Sequence, residues 1–152
     1  MKTIQFQILI DTKEQKPYRI PGAMFQALDT GDYTLAGLEH QFAIERKTLS
    51  DFYGSITKGH ARFRKEIKRA QGFLDFVILV EAEPGNLIDT WSNGRQIHPN
   101  SVRGVIKKWR EEYGIRWVFV RTAKQGKKFV EWQLKQWHEE YQAGLWQEQE
   151  VA

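Results

Sequence analysis

The chain has no cysteine. That excludes disulfides, thiolate zinc sites and a cysteine nucleophile, and it fits a reducing, cytoplasmic setting. Long apolar runs are missing too. Nothing approaches the roughly 18 consecutive residues of a membrane helix, and Met1-Lys2-Thr3-Ile4-Gln5 carries no leader pattern, so no membrane partner is expected. Histidine is scarce: His40, His60, His98 and His138 are scattered without ligand spacing, and none is assigned to a metal. Repeats, long linkers and low-complexity segments are also absent. What is present is 152 residues, 41% of them hydrophobic, enough for one domain with one core. Residues 1–146 read as a single domain and 147–152 as a flexible tail. The net charge of +4 permits nucleic acid without indicating it. Its distribution says more: Lys58, Arg62, Arg64, Lys65, Lys68 and Arg69 face a single acid, Glu66.

Periodicity gives the order of elements. Ile4 to Ile10 reads as a strand, and Pro21 to Leu28 as a short helix with proline in its first turn. Tyr33-Thr34-Leu35 and Phe42 to Lys47 form a hairpin around the polar turn Gly37 to Gln41. Thr48 starts a helix, with Asp51 three residues on as in a capping box, and the helical pattern continues to about Ala70, disturbed at Lys58-Gly59. Phe76 to Val80 is a continuous apolar strand, of the kind buried on both faces. A helix from Asn100 or Ser101 to Tyr113, ended by Gly114, a strand over Arg116 to Val120 and a helix from Lys124 to about Gln142 follow. This order predicts an α/β protein with three layers, α/β/α, around a mixed central sheet whose first pair is antiparallel. Phe129, Trp132, Trp137, Tyr141 and Trp146 are more than one helix stripe can bury. The three tryptophans therefore read as core or a dimer face rather than stacking platforms, and a homodimer through this half is expected.

The chemistry concentrates in Gly31-Asp32-Tyr33, followed by Glu45-Arg46-Lys47 and Asp51. Alternate residues of a strand share a face, so Glu45 and Lys47 stand side by side, and the hairpin brings Asp32 to Glu45. Two carboxylates and a lysine suit metal-assisted phosphodiester hydrolysis, with oxygen ligands for a hard cation and a lysine for developing charge. Each residue also has a plainer reading. Glu45 and Lys47 are equally a weak surface ion pair. Asp32 can be a turn residue and Asp51 a helix cap. Asp11 ends a strand where a loop must begin, and Glu14 can face solvent. The basic run can be a solvated helix face, although its position after the acidic cluster favours phosphate contacts.

These motifs, together with Ile10-Asp11-Thr12-Lys13-Glu14 and Gly54-Ser55-Ile56 followed by Gly59, resemble the nuclease domain of the XPF family of structure-selective DNA endonucleases, by motif from Ile8 to about Ala70. The resemblance implies a restriction-endonuclease-like fold and Mg²⁺ or Mn²⁺ held by Asp32, Glu45 and the backbone carbonyl of Arg46. It implies that Lys47 is the catalytic lysine, that the Arg46 side chain lies on the other side of the strand, and that Asp11, Glu14 and Asp51 are further members of the site. Lys13, Lys58, Gly59, Arg62, Arg64, Lys65 and Lys68 would meet DNA. Two positions depart from the pattern: Lys13 stands where the family has Arg, losing a bidentate donor, and Gly59-His60 stands where it often has Gly-Arg. No helix-hairpin-helix module follows, so the chain resembles a stand-alone nuclease domain of bacterial or phage type.

The expected function is a metal-dependent DNA endonuclease acting on branched, flapped or forked DNA. The alternatives are a non-catalytic DNA-binding or scaffold subunit, and a Holliday-junction resolvase or restriction enzyme on the same fold.

Overall fold

The computed structural model describes residues 3–57, 59–82 and 99–146. A six-stranded sheet in the order β2-β1-β3-β4-β5-β6 runs through the centre. The strands are β1 (Ile8–Asp11), β2 (Met24–Gln26), β3 (Tyr33–Leu35), β4 (Phe42–Thr48), β5 (Asp75–Glu81) and β6 (Arg116–Val120). Helices α1 (Leu49–Ile56), α2 (His60–Arg69) and α3 (Pro99–Tyr113) pack on one face, and α4 (Ala123–Gln142) on the other. Three layers around a mixed sheet were expected and are found. Only β3 runs antiparallel to its neighbours; the pairs β1/β2, β4/β5 and β5/β6 are parallel.

The central strands separate two cores by simple alternation. Ala43, Phe76, Ile78 and Val80 lie under α1 to α3 with Phe52, Phe63 and Trp109. Phe42, Ile44, Val77 and Leu79 lie against Val130, Leu134 and Trp137 of α4. The continuous apolar run of β5 is therefore buried on both sides, as its composition requires.

Two expected elements are corrected. The segment Pro21 to Leu28 is not a helix but contains β2, paired parallel to β1. Pro21-Gly22 instead forms a turn, with the Ala23 N–H donating to the Ile20 carbonyl at 3.1 Å and Gly22 at φ +80°. Proline followed by a left-handed glycine is the type II arrangement, which reverses the chain before a helix can start. The expected single helix after Thr48 is two. The Thr48 side chain does cap α1, accepting from the Asp51 N–H at 3.1 Å, but α1 ends at Ile56 and α2 begins after Gly59. The first strand is also shorter than read, and α3 begins at Pro99, ahead of Asn100. Gly114 ends α3 as expected.

The apolar residues behind the dimer expectation are used within the chain. Trp137 is fully buried, and Phe129, Tyr141 and Trp146 pack on the same core; only Trp132 is left exposed. Trp146 meets Phe42 edge-on, with ring centroids 5.3 Å apart, so an extra turn after α4 adds the packing that one helix stripe lacks. Residues 147–152 lie outside the described residues, and no helix among those described is long and apolar enough to cross a membrane.

Candidate active site

The parallel strands β1 and β4 end at the same edge of the sheet, where the antiparallel β3 begins. Asp11, Asp32 and the Glu45–Lys47 segment therefore meet there. Gly31 makes the approach possible: its φ is +81°, and a Cβ at this position would lie 2.7 Å from Ala43 Cβ. Backbone bonds then fix Asp32, whose N–H donates to Ile44 O at 2.8 Å and whose carbonyl accepts from the Asp11 N–H at 2.9 Å. Its side chain is held as well, since the Arg46 N–H donates to Asp32 Oδ2 at 2.8 Å.

The alternation that splits the core also splits the motif. Glu45 and Lys47 face α1 and α2, where Lys47 Nζ lies 4.5 Å above the Phe63 ring and 3.9 Å from Glu45 Oε1. Both side chains are nearly buried, at 13% and 11% exposure. Asp32, Glu45 and Lys47 line a cleft of about 740 Å³ together with Asp11, Asp51 and Glu66. Burial pushes the Asp32 carboxyl up to about 7, with Glu14 and Glu66 adding to the rise and the Arg46 N–H and Lys47 opposing it. Burial also raises Glu45 well above the ordinary range; neighbouring Asp32 and a hydrogen bond with the Glu66 carboxyl raise it further. Both carboxyls are thus held toward their protonated forms, a bias that Lys47 opposes only in part.

Arg46 points the other way, as expected, into a compensated network. Its Nε donates to Glu81 Oε1 at 2.7 Å, Nη1 donates to the Lys16 carbonyl, and the guanidinium lies 4.0 Å over the Tyr18 ring. The Tyr18 hydroxyl donates to the same Glu81 oxygen, and Tyr33 Oη accepts from the Tyr18 N–H at 2.9 Å. Burial alone would lower the Arg46 pKa, but the Glu81 carboxylate more than reverses this, and the net shift is upward.

Over residues 10–131 the sequence matches the ERCC4 domain. The chain belongs to the ERCC4 domain family. No curated protein matches it. Among solved structures, XPF from Aeropyrum pernix superposes with a TM-score of 0.67 at 21% identity, covering 85% of this chain and 60% of that one. XPF from Aeropyrum pernix in complex with DNA gives 0.64 at 23% identity, covering 84% and 62%. At this identity the likeness is one of fold, the restriction-endonuclease-like arrangement expected from the sequence. The chain spans about three fifths of the length of these relatives.

In this ERCC4 domain the expected residues divide clearly. Asp11, Asp32, Glu45, Lys47 and Asp51 line one cleft, and Asp51 is both a cleft residue and the partner of the Thr48 cap. Glu14 does not line the cleft. It sits 4.0 Å from Arg46 Nη1, on the other face. Lys13, Gly59, Arg62 and Lys65 rim the cleft. Arg64 and Lys68 do not, because on α2 the charged cleft-facing positions are Arg62, Lys65, Glu66 and Arg69, at i, i+3, i+4 and i+7. Arg64 and Lys68 fall on the exposed side, and Lys58 lies outside the described residues. Sequence reasoning passed over Glu66 as a site residue. The signal was there: Glu66 stands three residues after buried Phe63 and one before buried Ile67, which turns an otherwise isolated acid inward.

The donor set fits one hard divalent cation of modest demand. Among the described residues no three acidic or imidazole side chains form a ready cage. Magnesium, however, usually keeps several waters and takes one or two carboxylates, and Asp32 and Glu45 supply two that lack full compensation.

Proposed function

We propose that this domain is a DNA endonuclease that hydrolyses phosphodiester bonds with Mg²⁺ or Mn²⁺ held by Asp32, Glu45 and the Arg46 carbonyl. The observation that carries this reading is the joining, in one cleft, of under-compensated carboxylates with a lysine and a rim of Arg62, Lys65, Arg69 and Lys13. Acid clusters that only stabilise a fold are paired with cations at short range. Here the nearest cation to Glu45 lies 3.9 Å away, while the cations free to meet phosphates stand on the rim.

The bound ion would lower the pKa of a water and offset charge on the phosphoryl oxygens. Asp32 and Glu45 would hold it in place. Lys47, fixed over Phe63, would neutralise charge that grows on the phosphoryl group as water oxygen bonds to phosphorus and one P–O ester bond breaks. Arg62, Lys65 and Arg69 would grip the flanking phosphates, an attraction that weakens with salt. Substrate choice falls to branched, flapped or forked DNA; this rests on the family alone. The complex of XPF from Aeropyrum pernix with DNA supports a DNA ligand.

The test is cleavage of labelled duplex, flap, fork and four-way junction DNA with Mg²⁺, Mn²⁺ or EDTA, by the wild type and by Lys47→Ala. Metal-dependent cutting lost in Lys47→Ala is expected. Equal cutting in EDTA, or by the variant, would overturn the assignment.

A further inference from the structure

Glu66 is the one acid of α2, set among Arg62, Arg64, Lys65, Lys68 and Arg69. Arg62 at i−4 and Arg69 at i+3 are the neighbours with which a helical glutamate ordinarily pairs. Glu66 pairs with neither and makes no ion pair among the described residues. It is half-buried while the five cations of its helix are exposed, and a hydrogen bond links its carboxyl to that of Glu45. The seating of the helix explains this placement. Phe63 and Ile67 are buried in the core on this face of the sheet. Gly59 lets α2 start hard against α1: its N–H donates to Gly54 O at 2.7 Å, and a Cβ there would lie 3.0 Å from that oxygen. Phe63 then meets Lys47, and Glu66, about one turn on, meets Glu45. Alternate residues of β4 are thus answered by residues one turn apart on α2.

Two carboxylates in contact repel unless a cation or a proton lies between them. Lys47 does not serve both: it stands 3.9 Å from Glu45 Oε1 and forms no ion pair with Glu66. Ligation of one ion by three acids directly is not what the site offers, since no such cage forms among the described residues. A hard divalent cation that keeps several of its waters needs no such cage. Carboxylates that hold its waters and its ligands, without touching it, set its affinity nearly as strongly as the ligands do.

We infer that Glu66 is a third acid of the cation site and accepts a hydrogen bond from a water on the cation that Asp32 and Glu45 hold. Glu66 lies outside the Gly31-Asp32 and Glu45-Arg46-Lys47 motifs, and neither spacing points to it. The inference rests on the metal-dependent reading of the cleft and adds a positioning residue to it. It also gives α2 two tasks at once. The helix whose Arg62, Lys65 and Arg69 rim the cleft fixes the cation's water through Glu66, so phosphate and cation are placed by one rigid element.

The test is Mn²⁺ titration by calorimetry in the absence of DNA, with thermal melting in metal-free buffer. The proteins are the wild type, Glu66→Gln, Glu66→Ala, Glu45→Gln and Asp29→Asn. Glutamine keeps the shape of Glu66 and its hydrogen bond to Glu45 but removes the charge; alanine removes all three. Asp29 lines the same cleft but is exposed and lies beside His40, so Asp29→Asn takes an equal charge from the rim. Glu66→Gln and Glu66→Ala should each lose about 10- to 100-fold in Mn²⁺ affinity, and Glu66→Gln should melt at or above the wild-type temperature. Asp29→Asn should stay within about twofold of wild type, as a screened surface charge does. Unchanged affinity in Glu66→Gln would mean that Glu66 only props Glu45, and would overturn the inference whatever Glu66→Ala does. An equal loss in Asp29→Asn would make the effect one of general field and overturn it too. In either case, wild-type binding that Glu45→Gln abolishes leaves the metal-dependent reading standing. A wild type that binds no Mn²⁺ would overturn that reading and this inference together.

Discussion

Strand β4 carries two charged environments, one on each face and a single residue apart. On one side Arg46 is answered from several directions, by Glu81, the Lys16 carbonyl and the Tyr18 ring. On the other, Glu45 and Asp32 crowd together with one lysine at 3.9 Å and a further carboxyl, Glu66, near by. The first arrangement is what a protein builds to keep a buried charge. The second raises the energy of the folded chain while its carboxylates are charged, unlike a structural ion pair. The same strand therefore holds a reinforced half and a strained half, and the Arg46 N–H bond to Asp32 joins them.

The contrast is broken most completely on the strained face. Asp32→Asn and Glu45→Gln keep shape and remove charge. Cleavage rates should fall by roughly a thousandfold or more, while melting temperatures hold steady or rise. Calorimetry with Mn²⁺ should show the lost metal affinity. Normal cleavage by either variant would remove the chemistry from this cleft.

On the reinforced face the effect should fall on stability. Glu81→Gln leaves the Arg46 guanidinium, 10% exposed, with only the more distant Glu14 carboxylate at 4.0 Å, and should cost about 3 kcal/mol in denaturant unfolding. Tyr18→Phe, which removes one donor to the same oxygen, should cost about 1 kcal/mol. If Glu81→Gln left stability untouched, the two faces would not differ in the way described.

The pH dependence sharpens the comparison. The folded value for Asp32, about 7, lies above its ordinary 3.8. Between these values the folded chain keeps a proton that the unfolded chain has released. The stability linked to this group is thus fully present below about pH 4 and is lost as pH rises toward 7. Unfolding in metal-free buffer should show a fall of about 4 kcal/mol across that window, smaller in Asp32→Asn, where the raised Glu45 remains, and reversed by added Mn²⁺. A flat wild-type profile would mean that the carboxylate is compensated after all.

The smallest effect belongs to a neighbour of both faces. Thr48→Ala removes the cap of α1 and should cost about 1 kcal/mol. The cleavage rate should be nearly unchanged, since the Thr48 hydroxyl serves the Asp51 N–H rather than the cleft. A large rate loss with unchanged melting would make the cap a positioning device for Asp51.

Much of this was open to reading along the chain, because it depends on periods of two and of about 3.6. Strand alternation put Glu45 with Lys47 and against Arg46, the hairpin brought Asp32 to them, and the apolar run over Phe76 to Val80 placed a strand at the centre. The Thr48 cap and the end of α3 at Gly114 followed from local chemistry. What failed was also local in cause. Pro21-Gly22 looked like a helix start but made a turn, because the left-handed conformation of glycine is visible only once the chain has chosen it. On α2 the basic residues were legible as a run, but which of them face the cleft depends on how Phe63 and Ile67 seat the helix.

The sequence by itself determined the layers, the family motif and the polarity of β4, since each needs only neighbours within a few residues. Tertiary structure alone decided that Glu81 answers Arg46 from 35 residues away, that Glu66 joins Glu45 rather than solvent, and that Trp132 stays outside while Trp137 and Trp146 close the core. Those outcomes turn on which distant charges and surfaces share a small buried volume. No local period encodes that volume, because it exists only after the sheet has formed and the helices have settled on its two faces.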